Sequence, residues 1–156
     1  MITMNKVTIN ELEKLIDDNE DIVNFGSSED AVDNKWILKA EKYLGYPLSR
    51  SYKWFLHKYS GGEVGGEEIY SIYGMDFTTV NGGDIIYQHI VGIRNGTVKP
   101  FQLVVSETDI DEIYFFDANR LINDEYPIYL RLPSGNDEIY ANDFYEFLYK
   151  RIKAHI

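Results

Sequence analysis

Apolar residues recur at helical spacing in the first part of the chain. Thr8 and Glu11 have the spacing of a capping box, and the apolar positions after them predict a first helix from about Ile9 to Asn19. The acidic stretch from Glu20 to Asp30 has few apolar residues and is predicted to be a loop. A second helix is predicted next, with apolar residues on one face, lysines on the other, and Gly45 at its end.

The segment from Tyr46 to Gly62 contains the start and stop signals of a third helix. Pro47 ends the preceding element, and Ser49 is expected to cap the free backbone N–H groups of the new helix. One face of this helix carries an apolar stripe formed by Tyr52, Phe55, Leu56 and Tyr59. Gly61 and Gly62 permit a positive φ, so the chain is expected to leave the helix there.

Beyond Gly62 the pattern changes to short runs of β-branched and aromatic residues separated by glycines, which is typical of strands and turns. Strands are predicted in four runs, namely Glu67 to Tyr73, Phe101 to Ser106, Glu112 to Asp117 and Pro127 to Leu132. The acidic residues from Asp109 to Glu112 separate two of these runs and predict a hairpin turn.

Two further segments complete the prediction. Residues Asp84 to Val91 fit either a helix capped by Asp84 or a strand. Near the C-terminus, Asn142 is expected to cap a last helix, with Asp143 in its first turn and basic residues in its last turn, where they suit the helix dipole. The patterns together predict an α+β fold, with N-terminal helices and a C-terminal helix packed on a mainly antiparallel sheet of four to six strands.

Length and composition indicate one domain over residues 1–156. The chain has 44% hydrophobic residues, enough for a single core, and it contains no internal repeat and no low-complexity linker. It has no apolar run of about 18 residues and no apolar N-terminal segment long enough for a signal peptide. We therefore expect a cytoplasmic location without membrane association, unless a larger parent protein carries the domain elsewhere.

The charge of the chain is uneven. The formal net charge is −11, but residues 1–62 carry 8 basic against 10 acidic residues, whereas residues 63–149 carry 4 against 16. Such a field repels nucleic acid and anionic lipid and accelerates the association of basic proteins. In many proteins an acidic surface does no more than increase solubility. The charge by itself therefore favours a basic partner without establishing one.

The usual signs of catalysis and metal binding are missing from the sequence. There is no cysteine, and the three histidines lie far apart, which argues against a zinc site or a thiol nucleophile. The glycine-rich segment from Gly61 to Gly66 lacks the Lys-Ser/Thr of a phosphate-binding loop. The acidic pairs around Asp109 and Asp137 do not continue into a calcium loop. We expect no catalytic residue, no metal and no cofactor.

The segment around the third helix resembles the signature of the SUKH superfamily, the Smi/Knr-type domain. The matching residues are Glu41, Pro47, Tyr52, Phe55, Leu56, Gly61 and Gly62. Two positions depart from the pattern: Tyr46 stands where leucine is usual, and Ser60 where asparagine is usual. The later strands, the Pro127 strand and the closing Phe-Leu helix follow in the family's order, so the resemblance covers about residues 30–152. It favours a helix for residues 84–91.

The resemblance implies a binding function. Bacterial members of the superfamily commonly serve as immunity proteins that neutralise polymorphic toxins, often nucleases, so the implied partner is a cognate basic toxin domain. Since a nuclease holds a polyanion in a basic cleft, an inhibitor with clustered carboxylates can compete for the same Lys and Arg side chains. The alternative is a regulatory or adaptor module, because eukaryotic members resemble scaffolds in signalling and cell-wall control. An enzyme of unknown type has the least support.

Two acidic groups and three nearby tyrosines are the predicted toxin-binding residues. Tyrosine is included because it combines apolar area with a hydrogen-bonding tip. The first group and its tyrosines are Glu63, Glu67, Glu68, Tyr70, Tyr73, Asp76, Asp84 and Tyr87. The second group is Asp109, Asp111, Glu112, Asp124 and Glu125. The sequence leaves open which group is central, which toxin is bound, and how many copies of the chain assemble.

Overall fold

The structure is a computed structural model that describes residues 6–77 and 79–156, and these residues form five α-helices and seven strands. The helices are α1 (Ile9–Asp17), α2 (Asn34–Leu44), α3 (Arg50–Tyr59), α4 (Ile85–Arg94) and α5 (Phe144–Lys153). The strands are β1 (Val23–Phe25), β2 (Gly62–Val64), β3 (Glu67–Ile69), β4 (Gln102–Glu107), β5 (Ile113–Asp117), β6 (Ile128–Arg131) and β7 (Asp137–Ala141). A short 3-10 turn covers Ser28–Asp30.

The strands form two antiparallel sheets. Strands β1, β2 and β3 make one sheet, and β4, β5, β6 and β7 make the other in sequential order. The backbone N–H of Tyr70 donates to the carbonyl of Val105 at 2.7 Å, which holds the end of β3 against β4. The predicted α+β class is therefore confirmed. The four-stranded sheet lies within the predicted range, and a smaller sheet stands beside it.

The helix starts follow the capping residues seen in the sequence. Thr8 Oγ1 accepts the N–H of Glu11 at 3.1 Å, and Ser49 Oγ accepts the N–H of Tyr52 at 3.3 Å. Gly45 ends α2 with φ of 83°, a left-handed conformation that glycine adopts without strain. These local signals explain why the first three helices lie close to their predicted bounds.

The exit from α3 differs from the prediction. The first positive φ falls on Ser60 (70°) rather than on Gly61, and the N–H of Gly61 donates back to the carbonyl of Tyr59 at 2.7 Å. This is a γ-turn centred on Ser60, a strained conformation for a residue with a side chain. Gly61 is required for another reason, because an added Cβ would lie 2.6 Å from Ser71 Oγ.

The residues that matched the family pattern hold α3 in place. The carboxylate of Glu41 accepts the N–H of Leu48 at 2.7 Å and lies 3.0 Å from Lys53 Nζ. The hydroxyl of Tyr126 donates to the carbonyl of Pro47 at 2.6 Å. Glu41 and Pro47 thus fix the turn between α2 and α3, so their role is structural.

The main core lies between α3, α5 and one face of the four-stranded sheet. Phe144 of α5 is fully buried, and its ring centroid lies 5.2 Å from that of Tyr52 and 5.2 Å from that of Phe55. The ring centroid of Phe116 on β5 lies 6.0 Å from that of Phe144. Aromatic rings in contact contribute beyond the area that they bury, so this cluster fixes both helices on the sheet.

Three local predictions need correction. The predicted loop from Glu20 to Asp30 contains β1, a three-residue strand paired with β2. The cap of α5 is Asp143, whose Oδ1 accepts the N–H of Glu146 at 2.9 Å, and not Asn142. Strand β7 was not predicted, since its sequence Asp137–Ala141 begins with two carboxylates and alternates poorly. The segment that fitted either helix or strand forms α4.

Candidate protein-binding surface

Two glutamates face each other across the small sheet. The register of β2 and β3 places Glu63 directly opposite Glu68, and both side chains are exposed. Among the described residues neither carboxylate has a basic side chain within 4.0 Å. Like charges directly opposite each other destabilise a sheet. The pair is therefore a local cost to the fold that a cation from outside can relieve.

Glu68 is held in a defined position. The hydroxyl of Tyr73 donates to Glu68 Oε2 at 2.8 Å and accepts the N–H of Gly83 at 2.8 Å. A Cβ at Gly83 would lie 1.9 Å from the Glu68 carboxylate, so only glycine allows this close approach. Tyr73 itself is 42% exposed, so the carboxylate and the phenol ring are presented together at the surface.

The acidic surface continues from Glu68 to the β4–β5 hairpin. Ser106 Oγ donates to the carbonyl of Glu68 at 2.8 Å, which brings the end of β4 against β3. Burial, together with the nearby carboxylates of Glu107 and Glu68, raises the pKa of the half-buried Tyr70 phenol. Burial and the charge of Asp111 likewise raise the pKa of Glu107. Burial is the larger cause of both pKa shifts, and the negative charges of the nearby carboxylates add to it.

We call this surface the acidic face and define it by Glu63, Glu68, Glu107, Asp109 and Asp111, all of which are exposed. It joins residues from both predicted acidic groups. Glu107, the last residue of β4, is absent from the predicted site residues, and the predicted strand ends one residue earlier, at Ser106. Extending that strand by one residue would have placed Glu107 beside the hairpin turn.

Glu67 points away from the acidic face. Its carboxylate accepts a hydrogen bond from Arg151 and lies 3.0 Å from His155 Nε2, on the side of α5. Partial burial opposes its ionisation, but the hydrogen bonds from His155 and Arg151 outweigh this effect and hold the pKa of Glu67 below its ordinary value. Glu67 therefore joins α5 to the small sheet and is already paired with a cation, Arg151.

Asp84 is fully buried and serves as the cap of α4. Its carboxylate accepts the N–H groups of Ile86 at 2.9 Å, Tyr87 at 3.0 Å and Tyr73 at 3.0 Å. The predicted contact with a partner is corrected for this residue, since its side chain has no exposed surface. Tyr87 is half-buried in the first turn of α4.

Asp124 and Glu125 lie at the far end of the large sheet from the hairpin. They follow β5, whereas Asp109, Asp111 and Glu112 precede it. Glu125 is buried, and its carboxylate accepts the hydroxyl of Ser51 at 2.6 Å. Burial raises the pKa of Glu125 above its ordinary value despite this hydrogen bond. Both residues therefore lie outside the acidic face, and Glu125 is a structural residue.

The remaining predicted residues, Glu112 and Asp76, are not among the residues that define the acidic face. Glu112 is half-exposed at the base of the hairpin turn, where its N–H donates to Thr108 Oγ1 at 3.2 Å. Asp76 is exposed in the segment after Tyr73, where it lines a groove with Trp36 and Phe77.

The described residues contain no group of three or more histidine and acidic side chains placed to hold a metal ion. In the same part of the chain, no helix has the length and hydropathy needed to cross a membrane.

Comparison with known families adds the identity of the fold. A SUKH family profile, described as SMI1-KNR4 cell-wall, matches residues 34–148. The matched region is well over half of the chain and runs from the start of α2 into α5. It contains Glu41, Pro47 and the α3 residues that build the core. The chain belongs to the SUKH superfamily, of the SMI1-KNR4 type.

Proposed function

We propose that this chain is an immunity protein that neutralises a cognate toxin domain by covering a basic cleft with its acidic face. The observation that carries the proposal is the direct cross-strand pairing of Glu63 with Glu68. A fold gains nothing from two carboxylates that lie opposite each other without a basic partner, whereas a binding surface for cations does.

The geometry supports recognition of Lys and Arg side chains. Tyr73 and Gly83 fix the Glu68 carboxylate, so little conformational entropy remains to be lost when a cation binds it. Glu107 and Asp111 extend the same field toward the hairpin. A toxin that binds nucleic acid has a basic cleft for phosphates, and this surface competes for the same side chains.

The proposal assigns binding and no catalysis to the chain. The polar groups with unusual environments, such as Glu67, Asp84 and Glu125, are occupied by contacts within the fold. An inhibitor of this kind needs no metal and no cofactor, and it would act in the cytoplasm, where an incoming nuclease meets its substrate.

Candidate toxins are basic C-terminal domains of large proteins encoded beside this chain. Co-expression of the chain with such a domain is expected to restore growth and to yield a stoichiometric complex on purification. The triple variant Glu63→Gln/Glu68→Gln/Glu107→Gln should lose this protection. The matched control is Glu20→Gln/Asp124→Asn/Glu138→Gln, which removes three exposed carboxylates elsewhere and should still protect. Equal protection by both triple variants would contradict the role of the acidic face.

A regulatory or adaptor role is the second proposal, and the family description, which refers to the cell wall, favours it. The same acidic face would then bind basic segments of several proteins. The two proposals differ in what a tagged chain retains from its native cell: a single basic protein at a 1:1 ratio supports the immunity role. Several unrelated proteins at lower ratios support the adaptor role.

A further inference from the structure

A second surface with the opposite character lies on α2. A groove of about 520 Å³ runs between this helix and the segment after Tyr73, and it is lined by Trp36, Lys39, Lys42, Tyr43, Asp76 and Phe77. The ring centroid of Phe77 lies 5.8 Å from that of Trp36 and 6.2 Å from that of Tyr43. Three aromatic rings thus form an apolar floor at the surface.

The rim of the groove is basic. Lys39 Nζ lies 4.3 Å from the ring centroid of Trp36, and Lys35 Nζ lies 5.8 Å from it. Within residues 6–77 and 79–156, Lys35, Lys39 and Lys42 have no carboxylate oxygen within 4.0 Å. Lys39 and Lys42 line the groove together with one carboxylate, that of Asp76, and Lys35 lies beside them at Trp36, which gives a positive patch on a chain of net charge −11. The groove therefore suits an apolar side chain flanked by carboxylates.

The chain itself contains an exposed apolar side chain flanked by carboxylates. At the tip of the β4–β5 hairpin, Ile110 is 63% exposed and stands between the exposed carboxylates of Asp109 and Asp111. The turn is closed by the N–H of Thr108, which donates to the carbonyl of Glu112 at 2.9 Å. A large exposed apolar residue at a charged turn is costly to leave in water and gains free energy when it is covered.

We propose that the groove on α2 binds the hairpin tip of a second copy of this chain. Ile110 packs on the rings of Trp36, Tyr43 and Phe77, and the carboxylates of the tip meet the lysines of α2. The tip does not fill the groove of its own chain, because Ile110 is 63% exposed and Tyr43 is 53% exposed. The contact is small, so association is weak and falls with salt.

The pairing connects to the proposed function without depending on it. Asp109 and Asp111 belong to the acidic face, so a tip held in a neighbouring groove is unavailable to a basic partner. Self-association is measured on the pure chain, so its failure would leave the immunity role untouched.

Sedimentation velocity of the full chain tests the pairing. In about 20 mM salt, the weight-average sedimentation coefficient is expected to rise between about 10 µM and about 1 mM protein, and the rise should disappear in about 0.5 M salt. The groove variant Lys39→Glu/Lys42→Glu and the tip variant Asp109→Lys/Glu112→Lys should each remain monomeric. Asp111 is left unchanged because its φ of 63° suits Asp better than Lys.

Mixing the two charge-reversal variants tests whether the groove and the tip contact each other. An equimolar mixture of the groove variant and the tip variant should regain the concentration-dependent rise, because the acidic groove then meets a basic tip. Control variants Arg94→Glu/Lys99→Glu and Glu20→Lys/Glu138→Lys reverse the same number of exposed charges elsewhere and should behave as the wild type. Far-UV and near-UV circular dichroism must show each variant folded.

Three outcomes would overturn the pairing. These are no rise up to about 1 mM protein, a rise that both variants retain, and a rise that the groove variant loses while the tip variant keeps it. The last result would mean that another acidic segment occupies the groove. A second readout is the emission of Trp36 in a Trp54→Phe background, which should shift with protein concentration only where self-association occurs.

Discussion

Two neighbouring residues on one strand, Glu67 and Glu68, have opposite surroundings. Glu67 faces α5 and is bonded to Arg151 and His155, whereas Glu68 faces outward, opposite a second glutamate. The first carboxylate stabilises the fold, and the second is a cost to it. The comparison extends to the acid-rich half of the chain: Asp84 and Glu125 are buried and hydrogen-bonded within the fold, whereas the carboxylates of the acidic face are exposed and have no ion pair among the described residues. Net charge alone therefore does not locate a binding surface.

The largest effect is expected at Asp84, which represents the internally bonded group. Asp84→Ala removes the acceptor for three backbone N–H groups, one at Tyr73 and two in α4, at a fully buried position. The free energy of unfolding should fall by about 3 kcal/mol. Urea denaturation measures it, with Asp109→Ala on the acidic face as the control expected to change stability by no more than about 0.5 kcal/mol. If Asp84→Ala lowers the free energy of unfolding by less than about 1 kcal/mol, the internally bonded carboxylates do not differ from those of the acidic face in their effect on stability.

Glu67→Gln and Glu68→Gln compare the two sides of β3 directly. Glu67→Gln leaves the Arg151 side chain, which is 12% exposed, without its carboxylate, and the free energy of unfolding should fall by about 2 kcal/mol. Glu68→Gln relieves the repulsion with Glu63 and should leave stability unchanged or slightly raised. Thermal unfolding of the two variants under identical conditions makes the comparison, and equal destabilisation would contradict it.

A buried histidine in the acid-rich half of the chain makes the stability of the fold depend on pH. His89 on α4 is buried, and its Nδ1 has no hydrogen-bond partner among the described residues. Burial lowers the pKa of His89 below its ordinary 6.5, partly opposed by backbone groups of Gln102 and Pro100. The unfolded chain thus binds a proton before the folded chain does, and stability is lost as the pH falls from about 6.5 toward the lower folded pKa.

His89→Gln removes this titration and isolates it from the carboxylates, whose own shifts remain in both proteins. Between pH 7 and pH 5 the unfolding free energy of the wild type should fall more steeply than that of the variant. The difference in slope is at most about 1.4 kcal/mol per pH unit for one proton. Parallel curves from urea denaturation at each pH would show that His89 is not buried in its neutral form.

The smallest effect is expected on the acidic face. Glu63→Gln should raise the free energy of unfolding by about 0.3 kcal/mol, because it ends the repulsion across the β2–β3 pair. The melting temperature should rise accordingly, and the rise should shrink in about 0.5 M salt, which screens exposed charges. A stability loss on this substitution would mean that Glu63 is a structural residue like Glu67.

Much of the fold could be predicted because its signals are local. Thr8, Gly45 and Ser49 mark helix ends within a few residues of sequence, and the aromatic strand β5 is recognisable by composition. Strands β1 and β2 could not be predicted, since each has three residues and is defined by its partner across the sheet. Three residues are too few for their individual strand propensities to indicate a strand.

The site was predicted only in part for a related reason. The sequence marks Glu67 and Glu68 equally, and the two are distinguished by the distant residues Arg151 and His155, which contact Glu67. The opposition of Glu63 and Glu68 depends on the register of a hairpin at Gly65 and Gly66, which the glycines indicate but do not fix. The sequence marks Asp84 as a possible helix cap, and in the structure its carboxylate accepts backbone N–H groups of α4 and is not available to a partner.

The most direct test of the acidic face is the association rate constant with the cognate toxin domain, measured by stopped flow as salt rises from about 20 mM to about 0.5 M. The association rate constant of the wild type should fall by at least about tenfold over this range. At low salt, Glu63→Gln/Glu68→Gln/Glu107→Gln should associate about tenfold more slowly than Glu20→Gln/Asp124→Asn/Glu138→Gln, which has the same net charge. Equal rates for these two variants, or a wild-type rate that does not depend on salt, would contradict the role of the acidic face.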